Sequence, residues 1–424
     1  MRLCYVIHQF FPDCHSGTEQ YCLWMAQEAR RRGDDVTVVS LHWDHDRDWP
    51  PINVFEQPYE GIRVVRINHW RRLNPNDVLR DYENLHLEGP FRRVLEDVRP
   101  DAVHFFHLRQ LGSNLIPVAK ASGARVVVSL TDFWFLCPRF TLQKSDGSLC
   151  KGPPDEGRGC VACAHPELLH ATPEPSRASL RDSEDARLRA LLDRKGVNLA
   201  NLQLADAVFA PSEFLLSTFV QNGFPRDRIE ALPYGLAPDR VAAIPVQRPR
   251  KPLRLAFCGV LSPWKAPHLV IDAVRSSSAD VALSIHGRID EPMFQGYIDD
   301  CRARAAGDAR IAFCGPYRHE DAGRVFADMD ALVVPSVWYE NTPFVVLEAF
   351  MAGVPVIASD LGGLSESVRD GENGLLFRAG DASSLRAAIE RMAGDPDLCA
   401  RLLPKAPPTV ADGYDRFRRA YAQR

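Results

Sequence analysis

No apolar run in this 424-residue sequence approaches the roughly 20 residues that a membrane-spanning helix needs. The first apolar run, Cys4–Ile7, ends at His8 and is too short for the core of a signal peptide. Dense basic stripes are missing too, and 51 Lys and Arg against 55 Asp and Glu give a net charge of −4, which argues against nucleic-acid binding. We therefore expect a cytoplasmic protein of two or three domains that binds no nucleic acid.

The Gly-x-Gly-x-x-Gly fingerprint of dinucleotide-binding proteins is also missing. In its place, the predicted strand Arg2–Ile7 leads to Ser16–Glu19 at the start of a predicted helix. Gly17 in this turn would let a ligand approach the backbone, and the helix N-terminus would attract a phosphate or a hydroxyl group. An ordinary turn between a strand and a helix explains the same residues equally well.

Short apolar strands alternate with helices in two blocks, 1–235 and 252–404, joined by a proline-rich linker near 232–251. Such alternation indicates parallel sheets that are covered by helices on both faces. The predicted strands are Arg2–Ile7, Val36–Ser40, Ile62–Ile67, Ala102–Phe106, Arg125–Leu130, Ala207–Ala210, Leu253–Gly259, Val281–Gly287, Arg310–Gly315, Ala331–Pro335 and Pro355–Ser359.

The predicted fold class is therefore α/β, with two Rossmann-like domains that face each other across a cleft. Ligands of such sheets bind beyond the carboxyl ends of the strands, so the cleft is the expected site. A last helix over 412–424 carries Tyr414, Phe417 and Tyr421 at helical spacing, and we expect it to pack back on the first domain.

Glu340 and Glu348 are separated by seven residues at the start of a predicted helix over Pro343–Ala352. Two carboxylates beside an anion site suit a ligand that has both a diphosphate and many hydroxyl groups, which is a nucleotide sugar. The spacing alone is weak evidence, because surface helices often carry two glutamates at this distance.

The helix start itself supports an anion site. Thr342 is a favourable N-cap, Pro343 suits the first helical position, and Gly353 is placed to end the helix. The N–H groups of Phe344 and Val345 would then point out of the N-terminus, where the helix dipole favours a diphosphate.

Polar residues also follow other predicted strands. Lys265 lies on the loop that begins at Gly259, where it could reach a diphosphate or simply be solvated. His107 and Asp132 could bind sugar hydroxyls or accept a proton from an attacking alcohol. His104 is predicted to be a hydrogen-bonded histidine of the core.

In combination, these segments resemble the group 1 glycosyltransferases, which are retaining enzymes of the GT-B fold that use nucleotide-sugar donors. The resemblance covers both blocks and is carried by Ser336–Ala349, Gly353–Ser359, Gly362-Gly363 with Glu366, and Asp370–Phe377. It implies a metal-independent hexosyltransferase with a UDP- or GDP-linked donor. The implied acceptor is a hydroxyl of a glycan, a lipid-linked sugar or a small molecule.

The resemblance also assigns roles to single residues. Glu348 would bind the ribose of the donor and Glu340 the transferred sugar, while Lys265 would bind the diphosphate. Gly17 and Gly259 would lie near the phosphates. Amides that would hold the sugar and phosphate belong to Thr342, Phe344 and Val345.

Two positions depart from the family pattern. Val260 stands where relatives often have arginine, and Arg288 is the candidate replacement for that missing cation. Thr131 stands where many relatives have histidine, but Asp132 is retained as an acceptor-side residue with His107. The predicted catalytic residues are Glu340, Asp132 and Lys265, and no covalent glutamyl intermediate is expected.

Four cysteines fall in a segment of about 137–165 that has few apolar residues to form a core. One Cys-x-x-Cys pair among them favours a structural zinc ion, with an iron–sulfur cluster as the less favoured metal centre and four reduced thiols as the alternative. A similar insert occurs in a subset of the glycosyltransferases named above. The four are Cys137, Cys150, Cys160 and Cys163.

Two further hypotheses compete with a transferase. A nucleotide-sugar-binding protein without turnover is suggested by Val260 and Thr131, and the cysteine-rich insert could be a module for docking to a partner. Arg30–Arg32 and Trp70–Arg72 are the candidate contacts for peripheral binding to the inner face of a membrane.

Overall fold

The computed structural model describes residues 1–14, 16–42, 52–69, 78–154, 157–172, 183–237, 251–318, 321–395, 397–402 and 404–423. These residues form two compact units, Met1–Pro233 with Val410–Arg424 and, separately, Tyr234–Thr409. Most of the predicted linker, and the basic segment Trp70–Arg72, lie outside the described residues.

The first unit contains an eight-stranded sheet with the strand order β3-β4-β2-β1-β5-β6-β7-β8. All described pairings are parallel except that of β3 with β4, because β3 is an antiparallel edge strand that the apolar pattern did not reveal. The strands are β1 (Arg2–Ile7), β2 (Asp35–His42), β3 (Ile52–Glu56), β4 (Arg63–His69), β5 (Ala102–Phe105), β6 (Arg125–Ser129), β7 (Ala207–Ala210) and β8 (Ile229–Ala231).

Helices connect these strands, and 3₁₀ turns at Leu85–Leu87, Pro166–Leu168 and Arg226–Arg228 accompany them. Strands β1, β5 and β6 are almost entirely buried, as parallel strands covered on both faces must be. The helices are α1 (Gly17–Arg31), α2 (Val78–Tyr82), α3 (Glu88–Val98), α4 (Leu115–Ala121), α5 (Arg158–Ala164), α6 (Glu184–Gln203) and α7 (Glu213–Gln221).

The second unit contains a six-stranded parallel sheet in the order β11-β10-β9-β12-β13-β14, which is the order of a Rossmann sheet. A 3₁₀ turn at Pro292–Phe294 precedes the helix α9. The strands are β9 (Leu253–Cys258), β10 (Val281–His286), β11 (Ile311–Phe313), β12 (Ala331–Val334), β13 (Val356–Ser359) and β14 (Gly374–Phe377). The helices are α8 (Pro267–Ser276), α9 (Gln295–Ala305), α10 (Ala322–Ala327), α11 (Phe344–Met351), α12 (Gly363–Ser367), α13 (Ala382–Gly394) and α14 (Leu398–Arg401).

The last helix, α15 (Val410–Ala422), belongs to the first unit. Its Tyr414, Phe417 and Tyr421 are buried, and the Tyr421 hydroxyl lies 2.6 Å from Nδ1 of His104 on β5. The Tyr414 hydroxyl donates to the buried carboxylate of Asp34. The helix therefore contributes both apolar and hydrogen-bonded contacts to the first core.

Both sheets reverse their strand order at one point. In the first sheet the reversal lies between β1 and β5, and in the second it lies between β9 and β12. The loops that leave the carboxyl ends of these strands diverge to opposite faces of the sheet, so a crevice forms there. The two reversal points are the places to look for functional side chains.

No helix in the described ranges is both long enough and apolar enough to cross a membrane.

Candidate functional site

At the reversal point of the second sheet, the loops after β9 and β12 are bonded to each other. The amide of Val337 donates to the carbonyl of Trp264 at 2.8 Å, and the rings of Trp264 and Trp338 lie 5.8 Å apart. Ala266 takes a left-handed conformation just before α8, which turns the chain sharply after Lys265. These contacts bring Lys265 beside the segment that contains Glu340.

The carboxylate of Glu340 is the centre of this site. Its Oε1 accepts three hydrogen bonds, from Lys265 Nζ at 2.6 Å, Ser336 Oγ at 2.8 Å and Trp338 Nε1 at 2.8 Å. The Glu340 side chain is only 8% exposed. Among the described residues all the bonds of this carboxylate are made by Oε1, so Oε2 keeps its capacity to accept bonds from a ligand.

Lys265 is predicted to bind a diphosphate, and in this structure its ammonium donates to Glu340 Oε1. The Nζ atom also lies 5.6 Å from the centre of the Trp338 ring, a distance that allows a cation–π contact. An ammonium has three N–H donors, so one bond to Glu340 leaves two for another acceptor. The lysine is thus fixed in place and can still bind an anion.

The helix after Glu340 begins later than predicted. Pro343 is the N-cap residue of α11, with an extended backbone, and Phe344 is the first helical residue. The prediction of Thr342 as a capping side chain was wrong, because its hydroxyl donates to the carbonyl of Asn341. The helix N-terminus still follows Glu340 directly, and Val345 lies in its first turn.

Glu348 lies in the second turn of α11 and is 4% exposed. Its carboxylate is close to Cys258 at the end of β9, where burial and then the charge of Glu348 raise the pKa of the thiol to about 12. Glu340 and Glu348 are therefore both buried near the carboxyl ends of the strands that flank the reversal point.

Gly363 holds the Glu340 loop from the opposite side. Its amide donates to the carbonyl of Glu340 at 2.8 Å. A Cβ atom at this position would come 1.8 Å from the carbonyl oxygen of Asn341, so only glycine permits the approach.

The remaining predicted donor residues lie on loops nearby. Gly259 follows β9 and packs closely against Gly287, where a Cβ would lie 2.2 Å from the Gly259 carbonyl oxygen. Val260 is half-exposed. Arg288 is 61% exposed and lies 3.7 Å from Asp290 and 3.6 Å from Glu291, so in this structure it pairs with acids on its own loop.

At the reversal point of the first sheet, His107 and Asp132 form a hydrogen-bonded pair. His107 Nε2 lies 2.9 Å from Asp132 Oδ2, and the amide of Arg109 donates to His107 Nδ1 at 3.2 Å. Since Nδ1 accepts a bond, the ring proton of the neutral imidazole is on Nε2 and points to Asp132. The amide of Trp134 donates to Asp132 Oδ1 at 2.7 Å and fixes the carboxylate.

A second histidine, His8 just after β1, contacts His107 with 4.1 Å between the ring centres and an angle of 42° between the ring planes. Burial, together with the neighbouring His107 and Arg109, holds the pKa of His8 well below its usual value. Its Nε2 is 4.0 Å from Oε1 of the fully buried Glu19. Glu19 also caps α1, because its Oε2 accepts from the Ser16 amide at 2.8 Å.

Gly17 is the first residue of α1, as the sequence predicts, and Ser16 is the N-cap. His104 is a core histidine: it is fully buried, its Nε2 lies 2.8 Å from Ser129 Oγ, and burial lowers its pKa to about 3.

The four predicted metal ligands are among the residues that line one cavity of about 40 Å³ in the first unit, which we call the four-cysteine cavity. Within the described residues, no group of three or more His, Cys, Asp or Glu side chains is arranged to bind one metal ion. The zinc site therefore stays a prediction. The cysteines that line the cavity are Cys137, Cys150, Cys160 and Cys163.

Sequence reasoning assigned no individual role to four residues of these sites, although three of them lie in segments that carry the family resemblance. Ser336 and Trp338 follow β12 immediately, and the position of polar groups at a strand end is the signal that could have identified them. His8 follows β1 in the same way. For Gly363, the adjacent Gly362 was the sequence feature that could have indicated a close approach of two backbones.

Comparisons with known proteins agree with this geometry. The family model described as "Glycosyl transferase 4-like domain" matches residues 16–235, and the model "Glycosyl transferases group 1" matches residues 252–395. The D-inositol 3-phosphate glycosyltransferase of Nocardia farcinica is 31% identical over 199 residues, a match that covers 42% of this chain and 43% of that relative.

Two solved structures are similar over almost the whole chain. Anabaena HepE, in complex with UDP and glucose, has 17% sequence identity and a TM-score of 0.67, and the match covers 99% of this chain and 98% of HepE. Sucrose-phosphate synthase of Thermosynechococcus elongatus has 17% identity and a TM-score of 0.61, covering 99% and 94%. Together with the family models, these likenesses confirm the predicted fold of two Rossmann-like domains, the GT-B fold.

The two buried histidines make stability depend on pH. In the unfolded chain His8 and His104 bind a proton near pH 6.5, but the native protein keeps both neutral. Stability should therefore fall as the pH drops below about 6.5, by up to about 1.4 kcal/mol per pH unit for each histidine. Urea unfolding at pH 7, 6 and 5 measures this slope.

The contribution of one histidine can be separated. His104→Asn should reduce the slope by about 1.4 kcal/mol per pH unit, whereas His170→Asn should not, because His170 is 71% exposed. If stability changed with pH equally steeply in the unmodified protein and in His104→Asn, His104 would not be a neutral core histidine.

Gly363→Ala tests the support of the Glu340 loop. The added methyl group would push the loop away from Lys265, and we expect loss of ligand binding at the second unit with little loss of overall stability. Gly394→Ala is the matched control, because nothing lies within 4 Å of its Cβ position. If nucleotide sugars raised the melting temperature of Gly363→Ala as much as that of the unmodified protein, ligand binding would not depend on the position of the Glu340 loop.

Proposed function

Since this chain belongs to the glycosyl transferase 4-like family, we propose that it is a retaining glycosyltransferase. It would move a hexose-type sugar from a UDP- or GDP-linked donor to a hydroxyl group of a glycan, a lipid-linked sugar or a small molecule. The donor would bind to the second unit, and the acceptor would be activated by residues of the first.

The observation that carries the proposal is the bonding of Glu340. Three donors on Oε1 fix the orientation of this carboxylate, whose side chain is only 8% exposed. A fixed carboxylate with an available oxygen suits the hydroxyl groups of a sugar, because it can accept hydrogen bonds from them without rearrangement. Glu348, buried in the second turn of α11, would bind the two ribose hydroxyls.

Lys265 and the N-terminus of α11 would stabilise the leaving group. When the bond between the anomeric carbon and the diphosphate oxygen breaks, the electron pair stays with the diphosphate, and its negative charge grows. The two remaining N–H donors of Lys265 and the positive end of the helix dipole supply the compensating charge. Transfer should then need no divalent metal ion.

On the acceptor side, Asp132 is the proposed proton acceptor. Its Oδ1 is held by the Trp134 amide and its Oδ2 by His107, and the side chain is still 28% exposed. An acceptor hydroxyl could therefore reach the carboxylate. The HepE structure with bound UDP and the inositol phosphate acceptor in the relative's name favour uridine donors and polyol acceptors as the first to test.

The competing function is a nucleotide-sugar-binding protein without turnover. Two points favour it: Val260 places an exposed apolar side chain where the family resemblance implies an arginine, and Lys265 is already paired with Glu340. Release of free UDP or GDP in the presence of an acceptor separates the two functions.

Substitutions at the two glutamates should have different effects. Glu348→Gln should weaken binding of free UDP or GDP by about 10- to 100-fold, since a charged hydrogen bond to the ribose is lost. Glu340→Gln should leave nucleotide binding within a few-fold of normal and reduce transfer by about 100-fold or more. Calorimetric titration and a coupled nucleotide-release assay measure the two quantities.

The control for both is Glu372→Gln, because Glu372 is exposed. Equal losses of free-nucleotide affinity in the two active-site variants would contradict the assignment of ribose to Glu348 and sugar to Glu340.

The stereochemistry and the metal requirement are tested on the same enzyme. The proton NMR spectrum of the first product should show the anomeric configuration of the donor, and transfer should continue in excess EDTA. An inverted product would overturn the retaining mechanism, and complete loss of transfer with EDTA would overturn leaving-group stabilisation by Lys265 and α11 alone.

A further inference from the structure

Arg109 is a cation at the reversal point of the first sheet that the proposed mechanism does not use. It follows β5 on the same loop as His107, two residues further along the chain. We propose that its guanidinium binds a phosphate or carboxylate group of the acceptor, so that the protein prefers anionic acceptors. This inference rests on the proposed function, because it names the chemical class of the molecule whose hydroxyl reaches Asp132.

The backbone holds Arg109 in a fixed position beside His107. Its amide donates to His107 Nδ1 at 3.2 Å, and the amide of the next residue, Gln110, donates to the carbonyl of Asp81 at 3.0 Å. Gln110 has a positive φ of 66°, a left-handed conformation that is uncommon for residues with a side chain. The loop therefore turns sharply after Arg109 and is anchored on both sides of the turn.

The side chain of Arg109 is held by an aromatic ring. Its guanidinium carbon lies 4.6 Å from the centre of the Phe140 ring, a distance that allows a cation–π contact. Phe140 also has a left-handed backbone, with a φ of 51°, and such strained residues are concentrated at ligand sites. A guanidinium over a ring keeps the N–H donors at its edge for other acceptors. Arg109 is thus fixed in place and can still bind an anion.

The charge of Arg109 has no counter-ion among the residues that the structure describes. The residue is partly buried, and unlike Lys265 and Arg288 it forms no ion pair within the described ranges. Its charge nevertheless acts on His8, whose pKa is lowered first by burial and then by His107 and Arg109. A partly buried cation beside a neutral histidine gains from a bound anion, because the anion replaces the hydration that burial removes.

The acids around the site are bonded to other groups. Asp132 accepts hydrogen bonds from His107 and from the Trp134 amide, and Glu19 uses one oxygen to cap α1. In the described part of the chain, neither carboxylate accepts a hydrogen bond from Arg109. An acceptor that carries both a hydroxyl and an anionic group could therefore bind to Asp132 and Arg109 together.

Arginine suits this role better than lysine would. Its planar guanidinium donates two parallel hydrogen bonds to a phosphate or a carboxylate, which fixes the orientation of the bound group. With the anionic group fixed at Arg109, only a hydroxyl at a suitable distance from that group reaches Asp132. Arg109 would therefore contribute to the affinity for the acceptor and to the choice of its hydroxyl.

Acceptors that differ in charge test this role. With the nucleotide sugar that the protein uses, transfer to glucose 6-phosphate and to glucuronic acid is compared with transfer to glucose. We expect kcat/KM to be at least about 10-fold higher for one or both anionic acceptors, because they gain a charge-assisted hydrogen bond. Which of the two is preferred distinguishes a phosphate from a carboxylate. Equal use of all three, or a preference for glucose, would contradict the proposal.

Variants connect the preference to Arg109 itself. Arg109→Gln should raise KM for the anionic acceptor by about 10- to 100-fold and KM for glucose by less than about 3-fold. Arg109→Lys, which keeps the charge without the paired hydrogen bonds, should recover part of the loss. Arg93→Gln is the matched control, because Arg93 is exposed on α3. Equal changes in KM for charged and neutral acceptors in Arg109→Gln would show that the residue only supports the fold.

Binding measurements separate a failure of this inference from a failure of the proposed function. Calorimetric titration with glucose 6-phosphate and with glucuronic acid requires no transfer. It should detect binding in the unmodified protein and in Arg93→Gln that Arg109→Gln loses. Such binding without any sugar transfer would overturn the transferase and leave Arg109 as an anion site. Binding of neither anion would overturn the role of Arg109, whether or not sugar is transferred.

A second variant covers the case in which Arg109→Gln does not fold. Phe140→Leu removes the ring that holds the guanidinium and leaves the charge in place. It should weaken binding of the anion by about 2- to 5-fold, because a cation–π contact is lost. Unchanged affinity in Phe140→Leu would contradict the arrangement proposed for Arg109.

Discussion

The ion pair between Lys265 and Glu340 is the interaction on which the second unit's site depends. It joins two loops that are 75 residues apart in sequence, and it places a buried carboxylate next to the point where the strand order of that sheet reverses. A buried charge without its partner would cost about 3–5 kcal/mol. The pair therefore has two effects: it holds the two loops together, and it fixes the carboxylate and the ammonium in the positions where a ligand would bind.

The surrounding structure serves to hold this pair. Ser336 and Trp338 add two further donors to the same oxygen, Gly363 supports the loop from behind, and the start of α11 follows directly. In the first unit the same principle recurs, since His107 follows β5 at the other reversal point and bonds to Asp132, which follows the neighbouring strand β6. In both units the strand order determines where the functional side chains lie. Their hydrogen bonds to other side chains determine which of their atoms remain available to a ligand.

Much of this could be predicted from the sequence. Strands such as β1 and β9 are mostly apolar, so their positions were predicted closely. The strands β3, β8 and β14 were missed, because short or partly exposed strands have little apolar signal. The cap of α11 was wrong by one residue, since Thr342 bonds to a neighbouring carbonyl that local propensity cannot reveal.

The partners of Glu340 could not be predicted for a different reason. Sequence spacing relates residues within one element, whereas Lys265 and Glu340 meet only because β9 and β12 are neighbours in the sheet. The cysteines illustrate the same limit: their spacing favours zinc, which stays a prediction, and only the three-dimensional structure shows that all four line one cavity.

A crystal structure with a bound non-hydrolysable UDP-hexose would show whether Glu340 and Lys265 hold the donor. We predict sugar hydroxyls within hydrogen-bond distance of Glu340 Oε2 and ribose hydroxyls within hydrogen-bond distance of Glu348. We also predict that Lys265 Nζ bridges Glu340 Oε1 and the diphosphate. A donor bound with the Glu340 carboxylate untouched, or with its diphosphate away from Lys265, would contradict it.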